Sequence, residues 1–457
     1  MNIRFRHVLM AHCTLFVALR AFAQVGLWSS AGELSLKPME GASWLAVKAA
    51  ADAADPNGAN VSNQDSNNNV EILAAGIVYA RTGTASYKAK VVSACEKLVN
   101  AGKPVDRTLA WAREVGAYAL AADLAGYRTA GFEGWCRNMA EVWKAEDDRT
   151  LLSMFKQRPN NWGTQAFGTL CALYGFLRDT VRLNEVREYW IRSVVGPKPA
   201  ELSYGSDLTW HADPGNPRLI NPKGAVKQGL IIDGVLPDDM RRGLESGNSF
   251  RIPPLFTNYI WEGQQGIVMG ARILERLGKP VWAIADSAIY RMGYCYQVRY
   301  SNLFGTEWKA QGDDAWMLPF YDDAYGTQWS QNQERLWEHG KNTGWPYVVW
   351  KGDAGSGVSE ENRFSHGYGL HQNYPNPFNS STVVDCSVSQ PSDLNVAVYD
   401  VFGRKVKVLM EGHRSAGTYR LSWDATDSEG NPLQSGIYLC RLQSEHRHET
   451  RRMLFIR

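Results

Sequence analysis

Three residues of this chain have types suited to handling a carboxylate: Asn161, Arg242 and Tyr259. Asn161 lies in Arg158-Pro159-Asn160-Asn161-Trp162-Gly163. Arg242 follows Arg241 and the pair Asp238-Asp239, and Tyr259 stands at the entrance to an amphipathic stretch beginning near Trp261. A C–H beside a sugar carboxylate is barely acidic while that carboxylate stays charged. Amide donors and a guanidinium, the latter in bidentate geometry, neutralise it so that negative charge can build up there. A base must then take the proton, and an acid must protonate the departing oxygen. Tyrosine can do both if a close cation lowers its pKa from about 10. Each residue also has an ordinary role open to it. Asn160-Asn161 suits a turn or an N-cap, Arg241 suits a partner for Asp238 or Asp239, and Tyr259 suits packing. Further residues could line subsites: Trp162, Trp210, Trp261 and Trp308 by stacking on sugar faces, Lys341 and Asn342 by binding carboxylates. The chain has 17 tryptophans, so core roles suit most of them. Asp313-Asp314 is a carboxylate pair of the kind used in glycoside hydrolysis or calcium binding, with no further ligands at hand in the sequence.

The elements that must position these residues are mostly helices. Residues 24–68 are mixed. Apolar residues then recur at helical spacing: Val70, Leu73, Ile77; Tyr87, Val91, Cys95, Leu98; Leu109, Ala112, Gly116, Leu120, Leu124. Further stripes run Phe132 to Trp143, Phe167 to Leu177, Val186 to Val194, Trp261 to Leu277 and Trp282 to Tyr296. Glycines and prolines stop several of them. Successive helices with short breaks predict antiparallel hairpins, either as a bundle or closed into an α/α toroid that binds at one open end. No fixed repeat period supports a solenoid. Residues 196–258 interrupt the pattern with a long Gly- and Pro-rich segment, which we expect to be ordered and functional. Residues 300–350 are aromatic and glycine-rich, with little periodicity.

The period changes beyond a linker at residues 352–369. Thr382 to Ser389, Leu394 to Val401, Lys405 to Met410, Thr418 to Asp424, Gly436 to Gln443 and Arg452 to Ile456 read as short strands, predicting a small sandwich. The chain has 457 residues, is 44% hydrophobic and 21% charged, and has a net charge of +2. That is an ordinary globular composition. No basic tail, zinc-ligand framework or RNA-binding motif points to nucleic acid. Residues 1–23 combine Arg4 and Arg6, an apolar run and Ala21-Phe22-Ala23, as in a cleaved signal peptide. Export permits disulfides, and a Cys386–Cys440 bond is open. Neither the cysteines nor the outlined chemistry calls for a metal or a cofactor.

Two resemblances sharpen this. Leu370-His371-Gln372-Asn373-Tyr374-Pro375-Asn376-Pro377-Phe378-Asn379, Val398-Tyr399-Asp400-Val401-Phe402-Gly403 and Ser435-Gly436-Ile437-Tyr438 resemble the type IX secretion sorting domain. That implies a non-catalytic sandwich at residues 370–457, with the type IX machinery as partner and a secreted or cell-surface location. A carbohydrate-binding sandwich, with Trp423 and Tyr438 as stacking residues, is the alternative. Residues 24–351 resemble the alginate-lyase-like family with an α/α toroid. The resemblance rests on Arg107-Thr108-Leu109-Ala110, Arg158 to Thr164, Ile220 to Gly224, and Asp233 to Pro237 with Arg241-Arg242-Gly243. Tyr259-Ile260-Trp261-Glu262, Gly312-Asp313-Asp314 and Gly340 to Trp345 complete it. It implies a monomeric lyase acting on an anionic, alginate-like polysaccharide by β-elimination. Asn161 and Arg242 would neutralise the carboxylate, and Tyr259 would act as base and acid. Trp162 stands where those lyases place a histidine, and tryptophan cannot be a base. His211, the one histidine of the long segment, is a candidate replacement; a surface role or a pair with Asp213 is its ordinary alternative. Two alternatives stand beside it: a glycoside hydrolase on the same helical ring, using carboxylates such as Asp238, Asp239, Asp313 and Asp314, and a polysaccharide-binding protein that kept the pocket and lost catalysis.

Overall fold

The computed structural model describes residues 26–242, 247–331, 340, 342–350, 369–370, 373, 378–388, 391–400, 403–415, 417–444 and 448–455. The expected signal peptide, Lys341 and the linker up to residue 368 lie outside them. The chain divides into two compact units between Gly352 and Asp353.

The first unit is helical. It runs through α1 (Ala31–Ser35), α2 (Gly41–Ala53), α3 (Asn68–Thr82), α4 (Ala85–Ala101), α5 (Thr108–Ala125), α6 (Ala130–Arg137) and α7 (Leu151–Gln157). It continues with α8 (Asn161–Leu177), α9 (Thr180–Val195), α10 (Pro237–Met240), α11 (Tyr259–Arg276), α12 (Ile284–Tyr294), α13 (Ser301–Phe304) and α14 (Leu318–Tyr325). Burial sorts the long helices into two layers. In α3, α5, α8 and α11 small and apolar residues occupy most of the surface, and most positions are buried. Helices α4 and α9 bury one stripe and expose charged faces. An all-round apolar helix belongs inside and an amphipathic one outside. The packing agrees. The inner helices stand side by side in chain order, α3 on α5, α5 on α8, α8 on α11, and the outer helices cover them. This is the inner–outer alternation of an α/α toroid.

Glycine sets the closest crossing. A Cβ on Gly266 of α11 would lie 2.1 Å from the Thr164 carbonyl oxygen, and one on Gly168 of α8 would lie 2.6 Å from the Gly266 carbonyl oxygen. Side chains there would force the two helices apart. The aperiodic tail of the unit returns to the start. Trp345 Nε1 donates to the Val70 carbonyl at 2.6 Å, Tyr347 to Pro38 at 3.0 Å, and Lys37 Nζ to Trp350 at 2.6 Å. Several helices were hidden in the sequence, the short α1, α10, α13 and α14 among them. Helix α2 falls in the stretch read as mixed, and α7 is a short helix closed by a Thr150–Ser153 capping box.

The second unit is the expected small β domain. Its sheets are β1 (Gly369–Leu370), β2 (Thr382–Val388) and β5 (Gly417–Trp423) in that order, and β4 (Lys405–Arg414), β3 (Ser392–Asp400), β6 (Gly436–Ser444) and β7 (His448–Phe455). All named pairs are antiparallel. Trp423 and Tyr438 are buried edge to face, 5.2 Å apart, as core residues rather than a sugar platform. Cys386 and Cys440 are free thiols in that core, so the disulfide left open by the sequence is not formed. Burial pushes the Cys440 thiol up to about 12.

Candidate active site

Inner helices that alternate with outer ones run the same way, so their N-termini share one end. Side chains tie those ends together. Asn69, in the first turn of α3, donates to the Arg113 carbonyl of α5 at 3.2 Å. The Arg113 guanidinium pairs with Glu262, in the first turn of α11. Asn161, the first residue of α8, donates from Nδ2 to the same Glu262 oxygen at 2.8 Å, and Gln165 donates to the Glu262 carbonyl at 3.2 Å. An array of helix N-termini at one end favours an anionic guest.

Three of the candidates meet here. Arg242 donates to Asn161 Oδ1, and its guanidinium carbon lies 4.3 Å from the centroid of the Tyr259 ring. Asn161 is fully buried, whereas Arg242 and Tyr259 are half-buried. The Asn161 amide is therefore engaged at both ends. Glu262 takes one of its two N–H groups and Arg242 its oxygen, an arrangement that orients the guanidinium. Its backbone N–H donates to Asp239 Oδ1 at 2.8 Å. Burial, against the pull of the Arg242 charge, pushes the Asp239 carboxyl well above the usual carboxylate range. Gly263 leaves room for that carboxyl: a Cβ there would stand 2.5 Å from Asp239 Oδ2. Asp314 lies beyond Glu262, accepting from Gln265 at 2.7 Å and from Asn258 at 3.1 Å. Burial first, then the neighbouring Asp313 charge, pushes Asp314 up to about 8.

The other candidates are placed differently. Arg241 turns away to bond buried Asp238 at 2.6 Å, so Arg242 alone of the pair faces Tyr259. Asn160 is buried and its side-chain oxygen caps α8 at Trp162 N, which removes it as a sugar contact. Trp261 is wholly buried and donates to the Trp308 carbonyl at 3.0 Å, so neither ring can stack on a sugar. Asn342 is wholly buried against the Ala112 carbonyl and cannot meet a carboxylate in solution. Trp210 is buried too, donating to Asn248 at 2.5 Å. Trp162 remains half-buried, with the guanidinium carbons of Arg158 and Arg107 at 4.9 and 6.0 Å from its ring. His211 is neither a surface residue nor paired with Asp213. It is buried edge-on against Tyr204, 4.8 Å away, and burial pushes it down to about 4. The charges that act on it include Asp238, Lys227, Arg241 and Asp207. Sequence reasoning passed over Glu262, Arg113 and Arg158. Glu262 had a signal, since it follows Tyr259 by three residues and shares its helical face. Arg113 had none.

Residues 378–447 match the model of the FlgD Ig-like domain, so the second unit contains an immunoglobulin-like domain. Comparison with curated proteins gives no match. Among solved structures, dimeric latent PorU from Porphyromonas gingivalis aligns over 18% of this chain and 9% of its own, with 21% identity and a TM-score of 0.16. PorZ of the same organism, described as an essential surface component of its type IX secretion system, aligns over 22% and 13%, with 20% identity and a TM-score of 0.15. The alkylpurine DNA glycosylase AlkC of Pseudomonas fluorescens covers 90% of this chain and 96% of its own, at 10% identity and a TM-score of 0.16. Likenesses at these scores carry no argument. Among the described residues, no helix is long and apolar enough to cross a membrane, and no cluster of metal-ligating side chains occurs.

Proposed function

We propose that the helical unit is a polysaccharide lyase that cleaves a uronic-acid polymer of the alginate kind by β-elimination. One observation carries this reading: Arg242, oriented by Asn161, stands over the Tyr259 ring at the end where the inner helices begin. Arg242 would bind and neutralise the uronate carboxylate. The Tyr259 oxygen would take the proton from C5, and the electron pair would move into a new C4–C5 double bond. The C4–O4 bond would break, and the tyrosine proton would pass to O4 of the leaving sugar. Asn161 acts through Arg242 and is a positioning residue. Incubation with alginate, glucuronan and glycosaminoglycans should give ultraviolet absorbance from the unsaturated product on at least one of them. New reducing ends without that absorbance would mean hydrolysis, and polymer binding without either product would mean a binding protein.

The hydrolase alternative has one observation in its favour. Asp314 is held protonated near neutral pH beside the Glu262 carboxylate, as an acid–base pair requires. Against it, Asp314 is almost wholly buried and Glu262 is already bonded to Arg113 and Asn161.

For the second unit we propose a type IX sorting role. Support comes from the motif that opens at Leu370 and from the immunoglobulin-like sandwich that follows it. In a host with that machinery, removal of residues 370–457 should leave the chain in the periplasm. Unchanged release to the medium or cell surface would refute the role.

A further inference from the structure

Five arginines gather near the start of α8, and they differ in how their charge is met. Arg149 pairs with Asp147 at 3.3 Å, Arg241 pairs with Asp238, and Arg107 has Asp106 at 4.0 Å and Gln64 at 3.2 Å. Arg158 and Arg242 have no ion-pair partner among the described residues. Both are half-buried. A half-buried guanidinium with no carboxylate in ion-pair contact is costly, and a second one nearby adds repulsion. Burial and the charges of Arg242, Arg149 and Arg241 lower the Arg158 proton affinity, the Asp238 charge offsets part of this, and Arg158 remains a cation.

The placement of Arg158 is rigid. It is the C-cap of α7, is followed by Pro159, and its carbonyl lies so close to Gly163 that a Cβ there would come within 1.8 Å of it. Its guanidinium then lies over the indole of Trp162, which pre-orders it. Arg242 bonds Asn161 while Arg158 stacks on Trp162, so the two open cations are mounted on consecutive residues of one helical turn.

We infer that Arg158, mounted on Trp162, forms a second carboxylate subsite beside Arg242, so that the preferred substrate carries carboxylates on neighbouring sugars, as a homopolyuronate does. The inference rests on the lyase reading of the same end of the toroid, but it concerns binding and is tested without turnover.

The test uses the full chain carrying Tyr259→Phe, with and without Arg158→Gln or Arg158→Lys. Binding is measured by calorimetry at low and moderate salt. The ligands are a homo-oligouronate, its carboxyl-reduced counterpart, and an oligosaccharide alternating uronate with neutral sugar. Arg158→Gln should weaken the homo-oligouronate about tenfold, equivalent to about 1.4 kcal/mol. It should change the other two ligands less than about twofold and flatten the salt dependence. Arg158→Lys should restore part of the loss. An equal loss on all three ligands, with the melting temperature unchanged, would reduce Arg158 to a packing role and overturn the subsite. So would unchanged affinity for the homo-oligouronate, or no binding of it at all. If Arg158-dependent binding is seen while the chain with Tyr259 intact never yields unsaturated product, the subsite stands and the lyase reading falls. If product forms but Arg158→Gln leaves affinity unchanged, the reverse holds.

Discussion

Tyr259→Phe should abolish unsaturated-product formation, with a loss of at least about a hundredfold and up to ten-thousandfold, the range for a group that moves a proton in the transition state. The substitution removes one oxygen and keeps the ring under Arg242, whose cation–π contact at 4.3 Å does not need the hydroxyl. Folding and substrate binding should therefore survive. Thermal melting followed by circular dichroism should match the parent chain, and polymer affinity should change little. Loss of kcat with KM retained is the pattern expected when an interaction made only in the transition state is removed. A variant with full activity would end the role assigned to Tyr259. Loss of activity together with a lowered melting temperature would mean that the hydroxyl has a structural partner.

The helical layers could be read from the chain because burial writes itself into periodicity. Stripes such as Tyr87, Val91, Cys95 and Leu98 mark an outer helix, and the Ala-rich run of α5 marks an inner one. Helix α2 was passed over although Trp44, Val47 and Ala51 recur at helical spacing, because alanines on its other faces blur that stripe, and α7 escaped because it is only two turns long. At the candidate site the residue types were legible, but their partners were not. Nothing in the sequence says that Arg241 bonds Asp238 while its neighbour bonds Asn161, because that choice depends on where α10 delivers the pair. Trp261 and Asn342 looked available for sugars, yet the toroid closes over both. His211 sat in a polar segment, and it is buried because Tyr204 and Asp238 fold around it. Spacing shows which residues share a helical face, whereas the contents of a site come from chain crossings far apart in sequence.

Asp314→Asn should make the protein more stable at neutral and alkaline pH and remove much of its pH dependence. The folded chain holds this carboxyl at about 8, chiefly by burial, against about 3.9 in an unfolded chain. Between those values the folded state keeps a proton that the unfolded state has lost. The contribution of Asp314 is therefore fully present below about pH 4, falls as pH rises through that window, and levels off above about 8. At about 1.4 kcal/mol per pH unit the total is on the order of 5 kcal/mol. Asparagine holds the neutral state at every pH. Its oxygen can accept from Gln265, and the exposed Asn258 amide can rotate to accept from its nitrogen. Urea denaturation from pH 4 to pH 9 should show parent and variant together at the acid end, with the variant increasingly ahead above it. Parallel curves would show that Asp314 ionises with its neighbours at no cost. The same variant also separates the two chemistries. A hydrolase using Asp314 as its acid would be silenced by the amide, whereas elimination through Tyr259 needs no proton from Asp314 and should continue.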